Sequence, residues 1–257
     1  MTGAQMMNPM DMTNRQILVT GASSGIGRET AVLLSQLGAR VILVGRDRPR
    51  LEETLSFLEG SGHRVEPHDL AELDEIPAWL KSLSQEFGAI SGLVHCAGMQ
   101  MTLPLHRVTA AQVSKLVEIN LTAAIMLAKG LRQKEVLASP GSLVLLSSVV
   151  GLVGSAGGSV YSSTKSALVG LTKSLAVELA RDGLRVNCVA PAFVSTPMFE
   201  EAKNRMGTER ISAIEAAHPL GIGTSRDVAN SVVFLLADSG RWITGTTLVV
   251  DGGYTAQ

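Results

Sequence analysis

The stretch that most restricts the fold is Gln16-Ile-Leu-Val-Thr20 running straight into Gly21-Ala-Ser-Ser-Gly25-Ile-Gly27. An apolar run reads as a buried strand, and the residues after the glycines carry apolar positions at helical spacing through Leu37. Glycines let the chain reverse sharply and let its amides approach a pyrophosphate, whose charge is favoured at the start of the following helix. The candidate phosphate cradle is therefore Gly21, Ser23, Ser24, Gly25, Ile26 and Gly27. The spacing is G-x-x-x-G-x-G, which differs from the commoner dinucleotide fingerprint. A plain tight turn is the simpler alternative, and it falls behind because both neighbouring elements have the right type and order.

The same alternation continues down the chain. Strands are expected at Arg40–Val44, His63–Pro67, Ser91–His95, Leu143–Leu146, Leu184–Ala190 and Thr246–Val250. Helical patterns stand between them, ending near Leu58, spanning Leu73–Phe87, running from Thr109 to about Leu131, around Tyr161, and over Asp227–Leu236. Strand followed by helix throughout implies an α/β protein with a doubly wound parallel sheet of about seven strands and helices on both faces. A chain of 257 residues can form this as one domain. We expect a flexible leader over 1–15, a single domain over 16–257, and a lid over about 197–219; a surface helical hairpin is the plainer reading of that last segment.

Composition excludes several classes. With 18% charged residues and a net charge of -1, no basic patch for nucleic acid is indicated. No uninterrupted apolar run is long enough for a membrane span, and the N-terminus lacks the pattern of a secretory signal. Two cysteines, Cys96 and Cys188, make no disulfide framework and fit buried thiols in a reducing compartment, so a cytoplasmic protein is expected. The five histidines show no metal-ligand spacing, and no metal is expected.

Three reactive side chains gather between Gly141 and Lys173. Tyr161 and Lys165 are four apart on one helix face, so the ammonium can approach the phenol, favour the phenolate and make Tyr161 a proton carrier. Ser148 ends an apolar strand, at the edge where open α/β sheets gather ligands, and could hydrogen-bond the same substrate oxygen. Taken singly, these are an exposed helix pair and a turn serine. Asn120 lies mid-helix between Ile119 and Leu121, where a buried amide is costly unless satisfied; a solvated Asn is the alternative.

Ser148 followed thirteen residues later by Tyr161 in Tyr-Ser-Ser-Thr-Lys resembles the Ser-Tyr-x-x-x-Lys signature of the short-chain dehydrogenase/reductase family. The likeness covers about Gln16 to Tyr254, and the glycine spacing is the version that family carries. It implies a Rossmann-like fold and a nicotinamide-dependent oxidoreductase with Asn120, Ser148, Tyr161 and Lys165 as the catalytic set, Asn120 loosening its helix and holding a relay water. It also implies cofactor contacts from Asp69 and Leu70, from Cys96, Ala97 and Gly98, from Tyr161 and Lys165, and from Pro191, Val194 and Thr196. Asp69 could equally cap a helix. His95-Cys96 stands where the family usually has two asparagines, and Ala192 replaces a glycine. The family likeness further implies a homotetramer, built on the helices carrying Asn120 and Tyr161 and on the C-terminal region.

The second strand speaks to the cofactor. An NAD-preferring relative places Asp at its end. Gly45 stands there, followed by Arg46, whose guanidinium can pair with a 2′-phosphate. NADP(H) is expected, with NAD(H) possible should Asp47 face the ribose. Met99, Met101, Leu103, Leu152, Val153, Phe193, Met198, Phe199 and Met206 are expected to line an apolar substrate pocket. The chain looks most like the 3-oxoacyl-(acyl-carrier-protein) reductase branch, so the expected partner is a small carbonyl or alcohol substrate, borne on an acyl carrier. Lys129, Arg132, Lys134 and Arg181 could receive such a carrier or form a solvated charge run. Activity on a sugar, steroid or small secondary alcohol, or a non-catalytic cofactor sensor, are the alternatives.

Overall fold

The computed structural model describes residues 8–204 and 206–256. The first half alternates β1 (Gln16–Thr20), α1 (Gly25–Gln36), β2 (Arg40–Gly45), α2 (Arg48–Leu55), β3 (Arg64–Pro67), α3 (Ile76–Phe87) and β4 (Ile90–His95). Then come α4 (Ala110–Val117), a π-helical turn over Glu118–Thr122, α5 (Ala123–Leu131), β5 (Leu137–Leu146), α6 (Ser159–Leu179) and β6 (Leu184–Pro191). The remainder is β7 (Val194–Ser195), α7 (Pro197–Lys203), α8 (Thr208–Ala216), β8 (Gly223–Thr224), α9 (Ser225–Leu236) and β9 (Thr247–Val250).

Seven strands form one parallel sheet in the order β3-β2-β1-β4-β5-β6-β9, as expected, while β7 and β8 pair separately. Both faces are buried, which is why the inner strands read as continuous apolar runs. Leu18, Leu93, Leu143 and Val186 meet α3, α5 and α6 on one face; Val19, Val94, Val144 and Val189 meet α1 and α9 on the other. Each such side chain contributes roughly 1.5–3 kcal/mol, and a one-residue slip would send every one to the wrong face.

One expectation changes here. Residues 1–7 of the expected leader lie outside the described residues, and the part from Asn8 onward is anchored to the fold at Met12 and Arg15. Met12 is fully buried with its N–H donating to Leu37 O at 2.9 Å, and Arg15 pairs with Asp238 at 2.6 Å. An apolar Met at the foot of α1 is worth more in the core than in water. The helical run Ala110–Leu131 is, by length and composition, long and apolar enough to cross a membrane, although Lys115, Glu118 and Lys129 interrupt it. Here Leu116, Ala123, Leu127 and Leu131 are buried within the fold instead.

The strand order reverses between β1 and β4, where successive connections leave for opposite faces. A crevice opens at such a point, outside the carboxyl ends of the strands. Thr20 and His95, the last residues of these strands, are register partners.

Candidate active site

Two adjoining hollows lie along this crevice. The first is a groove of about 290 Å³ lined by Gly21, Ser23, Ser24, Gly25, Ile26, Gly27, Arg46, Asp69, Leu70, Cys96, Ala97, Gly98 and Thr196. The structure thus brings these expected cofactor residues to one surface. A dinucleotide fits the backbone geometry. Gly21 has φ +67°, and a Cβ there would stand 2.8 Å from Ala97 N; a Cβ on Gly27 would collide with Gly21 O. The two turns therefore touch, and only glycines permit it. α1 opens with Ser24 at its N-cap making no side-chain cap, so first-turn amides remain for a phosphate.

At the far end of the groove Arg46 follows Gly45, and a Cβ on Gly45 would stand 3.3 Å from Leu51 Cδ2. Asp47 turns away: its carboxylate caps α2 by accepting from Arg50 N at 3.1 Å. Asp69 both lines the groove and accepts from Ala71 N at 3.1 Å, so the capping and cofactor readings coexist. His68, which the sequence did not single out, also lines this end and stacks on Trp79 with centroids 4.1 Å apart.

The second hollow, about 180 Å³, contains Ser148, Tyr161 and Lys165 together with Pro191 and Val194. These last two line this hollow rather than the groove. Ala192 replaces glycine without strain, since the positive-φ non-glycine residues described are Asn14 and Glu135. Met99, Met101, Phe193, Met198, Phe199 and Met206 line the cavity as expected. Leu103, Leu152 and Val153 do not. The turn Val149–Gly151 after β5 presents Val149 and Val150 to the cavity and leaves Leu152 and Val153 43% and 37% exposed.

Backbone contacts fix the reactive set. Ser147 Oγ donates to Lys165 O at 2.7 Å, and a Cβ on Gly151 would lie 2.8 Å from Lys165 C, so the Ser148 turn rests directly on α6. Asn120 occupies the π turn, a common device at functional sites. Its Oδ1 accepts from Met99 N at 2.8 Å, while Nδ2 donates to Met99 O at 2.9 Å and to Thr164 Oγ1 at 3.1 Å. The buried amide is fully satisfied, and it ties the segment after β4 to α6.

The electrostatics correct one expectation. The Tyr161 hydroxyl hydrogen-bonds Ser148, which favours the phenolate, yet burial dominates and pushes its pKa up to about 12. Lys165 Nζ donates to Leu146 O at 2.7 Å and stands 5.6 Å from the centre of the phenol ring. Burial lowers Lys165 itself to about 8, against a small opposing pull from Cys188 and Cys96. Burial raises the Cys96 thiol to about 12. His95 is held neutral down to about 3, by burial first and by Lys165 second; Nδ1 lies 2.9 Å from Thr20 Oγ1, while Nε2 has no partner. Of the four basic residues considered for a carrier, Arg132 is committed to Asp182 at 3.0 Å and Glu178 at 3.6 Å.

Comparison with known proteins agrees with this geometry. A family model described as enoyl-(acyl carrier protein) reductase matches residues 21–255. The chain is 35% identical to cis-4-hydroxycyclohexanecarboxylate dehydrogenase of Sinomonas cyclohexanicum, covering 94% of this chain and 97% of the relative. It is 33% identical to the 3-oxoacyl-(acyl-carrier-protein) reductase of Vibrio cholerae, covering 95% and 98%. Among solved structures, a short-chain type dehydrogenase/reductase from Mycobacterium ulcerans superposes with a TM-score of 0.89 at 31% identity, covering 96% of this chain and 92% of that one. The chain belongs to the short-chain dehydrogenase/reductase family, whose members bind nicotinamide cofactors and interconvert carbonyls and alcohols.

Proposed function

We propose that the protein is an NADP(H)-dependent reductase of a 3-oxoacyl thioester. The observation that carries the cofactor choice is the end of β2, where Arg46 lines the groove with no partner acid among the described residues while the Asp47 carboxylate is spent on the α2 cap. Arg46 would pair with a 2′-phosphate that a carboxylate would repel. A related chain from Agrobacterium tumefaciens, 29% identical with a TM-score of 0.87, was solved with NADP bound, which supports the reading.

When bound, the nicotinamide supplies or accepts the hydride at the reacting carbon. Tyr161, which burial keeps protonated at neutral pH, gives its hydroxyl proton to the carbonyl oxygen. Ser148 Oγ donates a hydrogen bond to the same oxygen and polarises it. The Lys165 ammonium stabilises the phenolate left behind and reaches a ribose hydroxyl. Asn120 holds the Met99 segment and α6 in register around a relay water. α7, α8 and the turn between them serve as the lid, through Met198, Phe199, Met206 and Arg210.

The 33% identity to a 3-oxoacyl-(acyl-carrier-protein) reductase supports a thioester substrate. A second reading is a compact alicyclic or secondary alcohol, favoured by a cavity of about 180 Å³, small beside the ~300–1,000 Å³ of drug-sized sites, and by the 35% identical relative named for a hydroxycyclohexane acid. We further propose a cytoplasmic homotetramer. Exposed apolar side chains on the helices carrying Asn120 and Tyr161, including Ile125 and Val177, and near the C-terminus, including Trp242 and Val249, support it. The test is kcat/KM with NADPH and with NADH on acetoacetyl thioesters and 4-oxocyclohexanecarboxylate. NADPH should be preferred, and Arg46→Ala should remove most of that preference. A wild-type preference for NADH would overturn the cofactor assignment, and inert thioesters beside a reactive ring ketone would move the substrate to the second reading.

A further inference from the structure

Among the described residues, the cavity beside Tyr161 is lined by charge of one sign. No Asp or Glu is among them, and the two cations that are differ in what they already do: Lys165 is buried and bonded to Leu146 O, whereas Arg210 stands exposed in the first turn of α8. The neighbouring Lys203 is spent, on Glu200 at 3.6 Å and over the Phe199 ring at 5.1 Å. Among the described residues Arg210 has no side-chain hydrogen bond or ion pair. The surroundings add to its potential. Gly207, the N-cap of α8, supplies no side-chain cap, and the positive end of this nine-residue helix begins beside Met206, which also lines the cavity. Glu209 lies in the same turn but does not line the cavity.

An unspent guanidinium on an otherwise apolar wall is suited to bind one anionic group at a set distance from the reacting centre. We infer that Arg210 receives an anionic group of the substrate, either the carboxylate of a free oxo acid or a phosphate on the arm of a thioester. This rests on the carbonyl reading of the site and adds to it a charge requirement. The wall from Tyr161 to α8 would then orient the substrate, with the carbonyl inward at Ser148 and Tyr161 and the anion outward at Arg210.

Two matched pairs separate the sources: acetoacetate against methyl acetoacetate, and acetoacetyl-coenzyme A against acetoacetyl-N-acetylcysteamine. Each is measured for kcat and KM with NADPH in wild type, Arg210→Ala and Arg210→Lys. Arg210→Ala should lower kcat/KM for the charged member of one pair about five- to twentyfold more than for its neutral mate, mainly through KM, with partial recovery in Arg210→Lys. A loss confined to acetoacetate assigns the carboxylate; one confined to the coenzyme A ester assigns the phosphate. Equal losses on charged and neutral members of both pairs, or no loss, overturn the inference while leaving the carbonyl reading intact. Absence of wild-type turnover with all four compounds overturns the inference, and if 4-oxocyclohexanecarboxylate is inert as well the carbonyl reading falls with it.

Discussion

Replacing His95 by Asn should make the protein more tolerant of acid. The His95 side chain is 1% exposed, its Nε2 has no partner, and Lys165 adds repulsion, so the folded state keeps it neutral down to about 3. In the unfolded chain it takes up a proton near its ordinary 6.5. Between those values the unfolded state binds more protons, so stability falls as the pH falls through this window. From pH 7 to 4.5 this one group should cost the wild type about 2 to 3 kcal/mol, with each unit of separation worth about 1.4 kcal/mol. Urea unfolding at both pH values and one protein concentration, in wild type and His95→Asn, isolates the term, because other groups titrate alike in both. The variant could be weaker at neutral pH through the lost Thr20 contact; only the difference between the two pH values matters. An acid loss of the same size in both proteins would refute the claim that His95 is buried neutral.

The opposite end of the pH scale reads Lys165. Its folded pKa of about 8 lies below the ordinary 10.5, so the cost of burying the charge fades as pH rises between these values, and from pH 8 to 10 wild type should gain about 2 kcal/mol relative to Lys165→Met in the same unfolding assay. A parallel pH dependence in the two would contradict it. Gly27→Ala should abolish cofactor binding by fluorescence titration, because a Cβ there drives into Gly21 O and must shift the phosphate turn; unchanged affinity would show that the turn does not cradle the cofactor.

Much of this site is legible in the chain because its parts are local. The glycine turn, the strand before it and the four-residue spacing of Tyr161 and Lys165 depend on neighbours in sequence, and the structure places each on the crevice between β1 and β4. What spacing could not convey was solvent. The phenol of Tyr161 looks like a group lowered by a nearby ammonium, yet burial among residues distant in sequence dominates and holds its pKa up. Besides Leu103, the substrate wall failed at Leu152 and Val153, for a similar reason. Leu152 and Val153 are as apolar as Val149 and Val150, and only the tight turn over Val149–Gly151, pressed on α6 at Gly151, decides which pair faces inward. His68 gave no signal at all, since its stacking on Trp79 joins two segments that carry no shared motif. Met12 shows the limit of reading a terminus from composition: a Met-rich leader can equally be the plug of a core.

The account stands most directly on Tyr161 as the proton donor to the substrate oxygen. The decisive measurement is single-turnover oxidation of bound NADPH with a reactive ketone or 3-oxoacyl thioester, in wild type and Tyr161→Phe, with cofactor affinity measured alongside. Phe keeps the ring packed beside Lys165 and removes only the hydroxyl, so affinity should stay within about threefold while the oxidation rate falls by about 100-fold or more. A variant that oxidises the cofactor at close to the wild-type rate would contradict the assignment.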